Sequence, residues 1–60
     1  MPFIHIHWYE GRSEEQKAEI ARRITEAMVE IGKTSPDHVW IRFEDSSKSD
    51  WSMSGELQGD

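Results

Sequence analysis

The chain has 60 residues, no cysteine and a formal net charge of −5. A domain this short buries only about 60% of its unfolded surface, and without disulfides the usual remedy is a partner subunit. The acidic balance excludes a phosphate-backbone binder, which needs a basic stripe, and the lack of cysteine excludes a Cys-type zinc site. No apolar run approaches the roughly 20 residues that span a bilayer. The N-terminus lacks the basic start and apolar core of a signal peptide, so the expected location is cytoplasmic. No linker, repeat or low-complexity stretch divides residues 1–60, which read as one domain.

Phe3 to Tyr9 alternate as a strand, with Ile4, Ile6 and Trp8 on one face and Phe3, His5, His7 and Tyr9 on the other. Both faces carry bulky groups, so both are expected to be covered, one by a helix and the other by a further subunit. Glu10-Gly11-Arg12 forms a turn. Ser13 then makes an N-cap, completed as a capping box by Gln16, and Glu14 and Glu15 lie at the positive end of the helix dipole. The helix is expected to run to about Ile31. Its apolar stripe is Ile20, Ile24, Ala27, Met28 and Ile31, and Glu19, Arg22, Arg23, Glu26 and Glu30 form its solvated face. Gly32 suits a left-handed C′ position.

Lys33 to His38 is a connection, and Val39 to Glu44 a second strand. Val39, Ile41 and Phe43 face the helix, and Trp40, Arg42 and Glu44 face away. Strand, helix and strand at these lengths make a parallel βαβ unit. Asp45 to Asp50 is polar and turn-like, and the tail from Trp51 to Leu57 is expected to form a short hairpin packed on a neighbour. The three tryptophans exceed what so small an interior can hide, which points to subunit interfaces or a pocket lining.

Pro2, the apolar strand, Glu10-Gly11-Arg12-Ser13, Glu15-Gln16-Lys17, the helix and Trp51-Ser52-Met53-Ser54-Gly55-Glu56 follow one another in an order and at spacings that resemble the 4-oxalocrotonate tautomerase family. The resemblance covers nearly the whole chain. It implies an α+β fold, a β-α-β protomer with a short C-terminal hairpin, assembled as an oligomer and usually a homohexamer. It also implies that Met1 is removed and that Pro2, as the new N-terminus, is the general base of an enol–keto isomerase. Arg12 matches the arginine that binds a substrate carboxylate. Trp51 falls on an aromatic wall, and Tyr9 and Met53 line the same pocket. The family's second arginine falls on Trp40 here. Arg42, two residues on and on the same strand face, is the residue placed to supply that charge.

The chemistery of an enolisation fits these groups. An α-amino group titrates near about 8, and apolar surroundings and nearby arginines lower that value towards working pH. Trp40, Trp51 and Tyr9 offer the dry walls, while Arg12 offers a bidentate carboxylate anchor and stabilises developing enolate charge. No metal, cofactor or nucleic acid is called for. The partners expected are a small carboxylate or enol substrate and further copies of the chain. Each feature also has a plainer reading. Pro2 alone means little, Arg12 can be a surface residue, Arg42 an interface ion pair, and Trp40 and Trp51 interface packing. His5 and His7 share a face as a zinc pair would, but no third ligand is evident, so packing is the preferred reading. Two alternatives stand beside the isomerase: a hydratase or dehalogenase-type relative with a protonated prolyl nitrogen, and a non-catalytic oligomeric module.

Overall fold

The computed structural model describes residues 1–59. The elements are β1 (Phe3–Tyr9), α1 (Glu14–Glu30), a 3-10 turn (Pro36–His38), β2 (Trp40–Ser46), a second 3-10 turn (Lys48–Asp50), β3 (Ser52–Met53) and β4 (Glu56–Leu57). β1 and β2 pair in parallel from Phe3↔Trp40 to Tyr9↔Ser46. β3 and β4 form the expected antiparallel hairpin, with Ser52 opposite Leu57 and Met53 opposite Glu56. This is the α+β, β-α-β arrangement expected from the sequence.

The capping box at the start of α1 is complete. The Ser13 hydroxyl accepts from the Gln16 N–H at 3.1 Å, and the Gln16 side chain accepts from the Ser13 N–H at 2.9 Å. Along β1 and β2, Ile4, Ile6, Trp8, Ile41 and Phe43 are half-buried. Lys17 at the start of α1 reaches Asp45 of β2 at 2.5 Å, and the Trp8 indole N–H donates to the same carboxylate at 2.6 Å. These contacts place the helix over that face, where Trp8 and Phe43 stack at 5.5 Å. On the outer side, Glu19 binds Arg22 and Arg23, and Arg22 also binds Glu26. Hydrogen bonds from Arg22 and then Arg23 hold the Glu19 carboxyl down at about 2.

Three local expectations are corrected. β2 begins at Trp40 and runs to Ser46, past the expected end at Glu44, because Asp45 and Ser46 continue the ladder opposite Trp8 and Tyr9. On α1, Ile20, Ile24 and Met28 are half-buried as expected, but Ala27 and Ile31 are exposed, Ile31 at 79%. The left-handed residue after the helix is Lys33 (φ 59°), not Gly32. Gly32 is needed for another reason: a Cβ there would lie 2.6 Å from the Met28 carbonyl oxygen.

The protomer leaves most of its second sheet face bare, Trp51 covering only the end at His7 and Tyr9. No described residue is fully buried, and Phe3, Trp40, Met53 and Leu57 are all more than half exposed. The radius of gyration is 14.5 Å, with extents of 43 × 24 × 14 Å, against about 10 Å for a compact domain of this length.

The two residues after α1 give substitutions of opposite sign. Gly32→Ala is expected to destabilise by about 1–3 kcal/mol, because backbone must move to admit the methyl group. Lys33→Gly is expected to stabilise, because it removes the left-handed strain of a side-chain-bearing residue. Thermal unfolding at matched protomer concentration reads both.

Candidate active site

The expected site residues fall into two groups at opposite ends of the β1–β2 ribbon. At the end where β1 begins, Pro2 is half-buried, and its carbonyl accepts from the Trp40 N–H at 3.1 Å. Trp40 is the register partner of Phe3, so the two side chains leave the same sheet face beside Pro2. The Trp40 indole N–H donates to the Asp37 carbonyl at 3.3 Å, which holds the ring. Arg42, one step along that face, donates to Glu44 at 2.9 Å.

At the other end are Tyr9, Arg12, Trp51 and Met53. Tyr9 and Trp51 pack with ring centroids 4.7 Å apart, and the His7 ring meets the Trp51 edge at 5.5 Å. The Gln58 N–H donates to the Trp51 carbonyl at 2.8 Å, folding the tail back on this cluster. Met53 stands on the hairpin, 51% exposed. Gly11, with φ 130°, lets the chain leave β1 and deliver Arg12. Arg12 donates to the Tyr9 carbonyl at 2.9 Å, and its guanidinium rests over Trp8 at 4.5 Å.

The protomer therefore brings Pro2 together with Trp40, and Tyr9 together with Trp51. It does not bring Arg12 to Pro2, because a strand of seven residues separates their ends by roughly 23 Å.

Between the two groups the bare face carries a polar row. His5 is 3.0 Å from Glu44, and His7 is 2.7 Å from the Ser46 hydroxyl. The two imidazoles stack at 6.0 Å. The Glu44 carboxyl is held below the usual carboxylate range, first by the hydrogen bond with His5 and then by the charge of Arg42. Among the described residues, no three His, Asp or Glu side chains are grouped to hold a metal ion. An apolar groove runs along α1 past Ala18, Ala21, Thr25, Val29 and Pro36; none of the expected site residues lines it, and it is an open helix flank.

Two participants escaped sequence reading. Lys48 lies over the Tyr9 ring at 5.6 Å, although nothing in the polar run from Asp45 to Asp50 distinguishes it. Asp45 gathers Lys17 and Trp8 under the helix; its place as an even-numbered step beyond Phe43 on the same strand face was the available signal.

The Asp45 carboxyl is held below its ordinary value, first by the Lys17 ammonium and then by the Trp8 indole N–H. A carboxyl whose folded value is depressed adds stability above its unfolded value, and that stability is lost as pH falls through the folded value. Asp45→Asn keeps an acceptor for Trp8 but loses the Lys17 pair. The variant is expected to be less stable at neutral pH and to lose less on acidification below about 4. Melting curves across that range, followed by tryptophan fluorescence, check this.

Comparison with known proteins gives a consistent result. Residues 2–60 match the family model described as tautomerase enzyme. A probable tautomerase of Ralstonia nicotianae is 35% identical over 60 residues, covering 100% of this chain and 92% of the relative. A probable tautomerase of Streptococcus agalactiae is 38% identical over 58 residues, covering 97% of each. Among solved structures, a heterohexamer 4-oxalocrotonate tautomerase from Chloroflexus aurantiacus superposes with a TM-score of 0.83 at 29% identity, covering 97% of this chain and 94% of that one. With the β-α-β fold and this full-length match, the chain belongs to the tautomerase family of enzymes.

Proposed function

We propose that the chain interconverts enol and keto forms of small 2-oxo acids, with the amino group of Pro2 as general base once Met1 has been removed. The observation that carries this reading is the placement of Pro2. Its carbonyl is tied to Trp40 at the open end of the sheet, with the exposed aromatic side chains of Phe3 and Trp40 beside it. The family match beginning at residue 2 supports it. With Met1 attached, the nitrogen is a tertiary amide and has no basic lone pair; as an N-terminus it is a secondary amine.

In the ketonisation, Pro2 takes the enol hydroxyl proton as the C–O bond becomes a carbonyl. The electron pair of the C=C bond then takes that proton at carbon. One O–H bond breaks and one C–H bond forms, Pro2 ends as it began, and nothing is oxidised. Arg12 anchors the substrate carboxylate. One of its donors is spent on the Tyr9 carbonyl, and the rest of its five remain for a bidentate contact. Because Arg12 lies at the far end of the ribbon from Pro2 in its own protomer, it acts at the Pro2 of another. Tyr9, Trp51 and Met53 travel with it as pocket wall.

This arrangement requires an assembly, and the bare sheet face gives a physical reason for one. A homohexamer is the assembly proposed, in line with the hexameric Chloroflexus relative. The chain is read as one cytoplasmic domain; among the described residues no helix is long and apolar enough to cross a membrane.

Ketonisation of phenylenolpyruvate tests the reading, with intact mass establishing the state of residue 1. A form in which a residue remains attached to Pro2 is expected to lose about 10²–10⁴-fold in rate, the usual contribution of a positioned base. Pro2→Ala keeps an amine of different basicity and geometry and is expected to fall by at least about tenfold. Activity should also decline as pH drops and the amine takes a proton; a profile that declines only as pH rises would favour the hydratase-type alternative. Equal rates for wild type and both altered N-termini would sink the proposal.

A further inference from the structure

We infer that Trp40 and Glu44 together make the Pro2 site selective for enol acids with one carboxylate and an apolar, aryl tail, over enol acids with a second carboxylate at the tail. This rests on the tautomerase reading above and names the substrate class of that same site.

The first part of the argument is the apolar surface. Trp40 is joined to Pro2 through its backbone N–H at 3.1 Å, and its indole is held by the Asp37 carbonyl at 3.3 Å. Phe3, its register partner, adds a second ring on the same side. Both are more than half exposed, Trp40 at 56% and Phe3 at 64%. An aryl tail reaching past Pro2 finds flat aromatic surface to cover, and offset or edge-on ring contacts add to the area removed from water.

The second part is charge. A tail carboxylate drawn out of water needs a cation. The cation on this face of β2 is Arg42, but its guanidinium is already on the Glu44 carboxylate at 2.9 Å. The same Glu44 oxygen lies 3.0 Å from His5 Nε2, so the carboxylate is secured from two sides, and the His5 hydrogen bond followed by the Arg42 charge holds its carboxyl below the usual range. The Asp37 side chain, 81% exposed and 4.0 Å from His38, adds a further negative group at this end of the ribbon. His7 is occupied with Ser46. An arriving tail carboxylate therefore meets aromatic rings and the Asp37 carboxylate, while Arg42, the next residue along this face of β2, is already balanced by Glu44.

The test compares kcat/KM for phenylenolpyruvate, which has an aryl tail, with that for 2-hydroxymuconate, which has a carboxylate tail. Wild type and variants are used as intact assemblies with free Pro2. Wild type is expected to favour the aryl acid by at least about tenfold, the size of discrimination that one unmatched polar group gives at a site. Trp40→Ala should lower the aryl value by about tenfold and change the diacid value little, while Trp40→Phe retains most of the aryl rate. Glu44→Gln, which leaves Arg42 unbalanced, should raise the diacid value several-fold. Competitive inhibition of wild type by 3-phenylpropanoate and by hexanedioate reads the same preference without a variant, the aryl acid being expected to bind more tightly. Wild type favouring the diacid, or Trp40→Ala lowering both substrates alike, overturns the inference and leaves the tautomerase reading standing. Wild type with free Pro2 converting neither substrate overturns both.

Discussion

The parallel pairing of β1 with β2 is the constraint on which everything else in this chain depends. Parallel neighbours cannot be joined by a tight turn, so the chain must cross the length of the ribbon between them. Seventeen residues of that crossing are α1. The same pairing fixes which groups meet. Phe3 stands opposite Trp40, His5 opposite Arg42 and His7 opposite Glu44, so aromatic, cationic and acidic residues far apart in sequence become neighbours on one face. A slip of one residue would send that whole set beneath the helix, and the half-buried Ile4, Ile6, Ile41 and Phe43 on the opposite face oppose such a slip.

The pairing also sets a limit. One helix covers one face of a two-stranded ribbon, and among the described residues the other face is covered at one end, where Trp51 packs against His7 and Tyr9, and is otherwise open. A protomer with no fully buried residue among those described has little to offset the conformational entropy of ordering its backbone. Its stability is therefore inseparable from whatever covers the bare face. The far separation of Pro2 and Arg12 follows from the same geometry, since they flank the two ends of one strand. In the reading proposed for this protein, covering the face and completing the site are one event.

Much of this was legible in the residues. Strict alternation from Phe3 to Tyr9 gave the bounds of β1, and Ser13 with Gln16 gave the start of α1, because both signals are local. Where sequence reading went astray, a contact distant in the chain decided the outcome. Asp45 and Ser46 look like turn residues, but Asp45 extends β2 by taking Lys17 and Trp8 as partners. Gly32 looked like the left-handed residue, but its missing side chain accommodates the Met28 carbonyl instead, and Lys33 bears the positive φ. Ala27 and Ile31 fit the helical period yet are exposed, because the ribbon beneath α1 is only two strands wide. The candidate site residues were nameable from the resemblance, but their division between two ends, and the pairing of Arg42 with Glu44, needed three-dimensional placement.

The bond between Trp40 and Pro2 has one more consequence. The sheet uses the carbonyl of residue 2 and asks nothing of its nitrogen, because proline has no N–H to give to a ladder. That carbonyl makes the same contact whether the nitrogen ends the chain or continues into Met1. Architecture and the chemistry of the chain end are thus uncoupled at a single residue: a chain that keeps Met1 can adopt this fold with an amide nitrogen at residue 2, and removal of that one amino acid would leave a secondary amine there without any strand having to move.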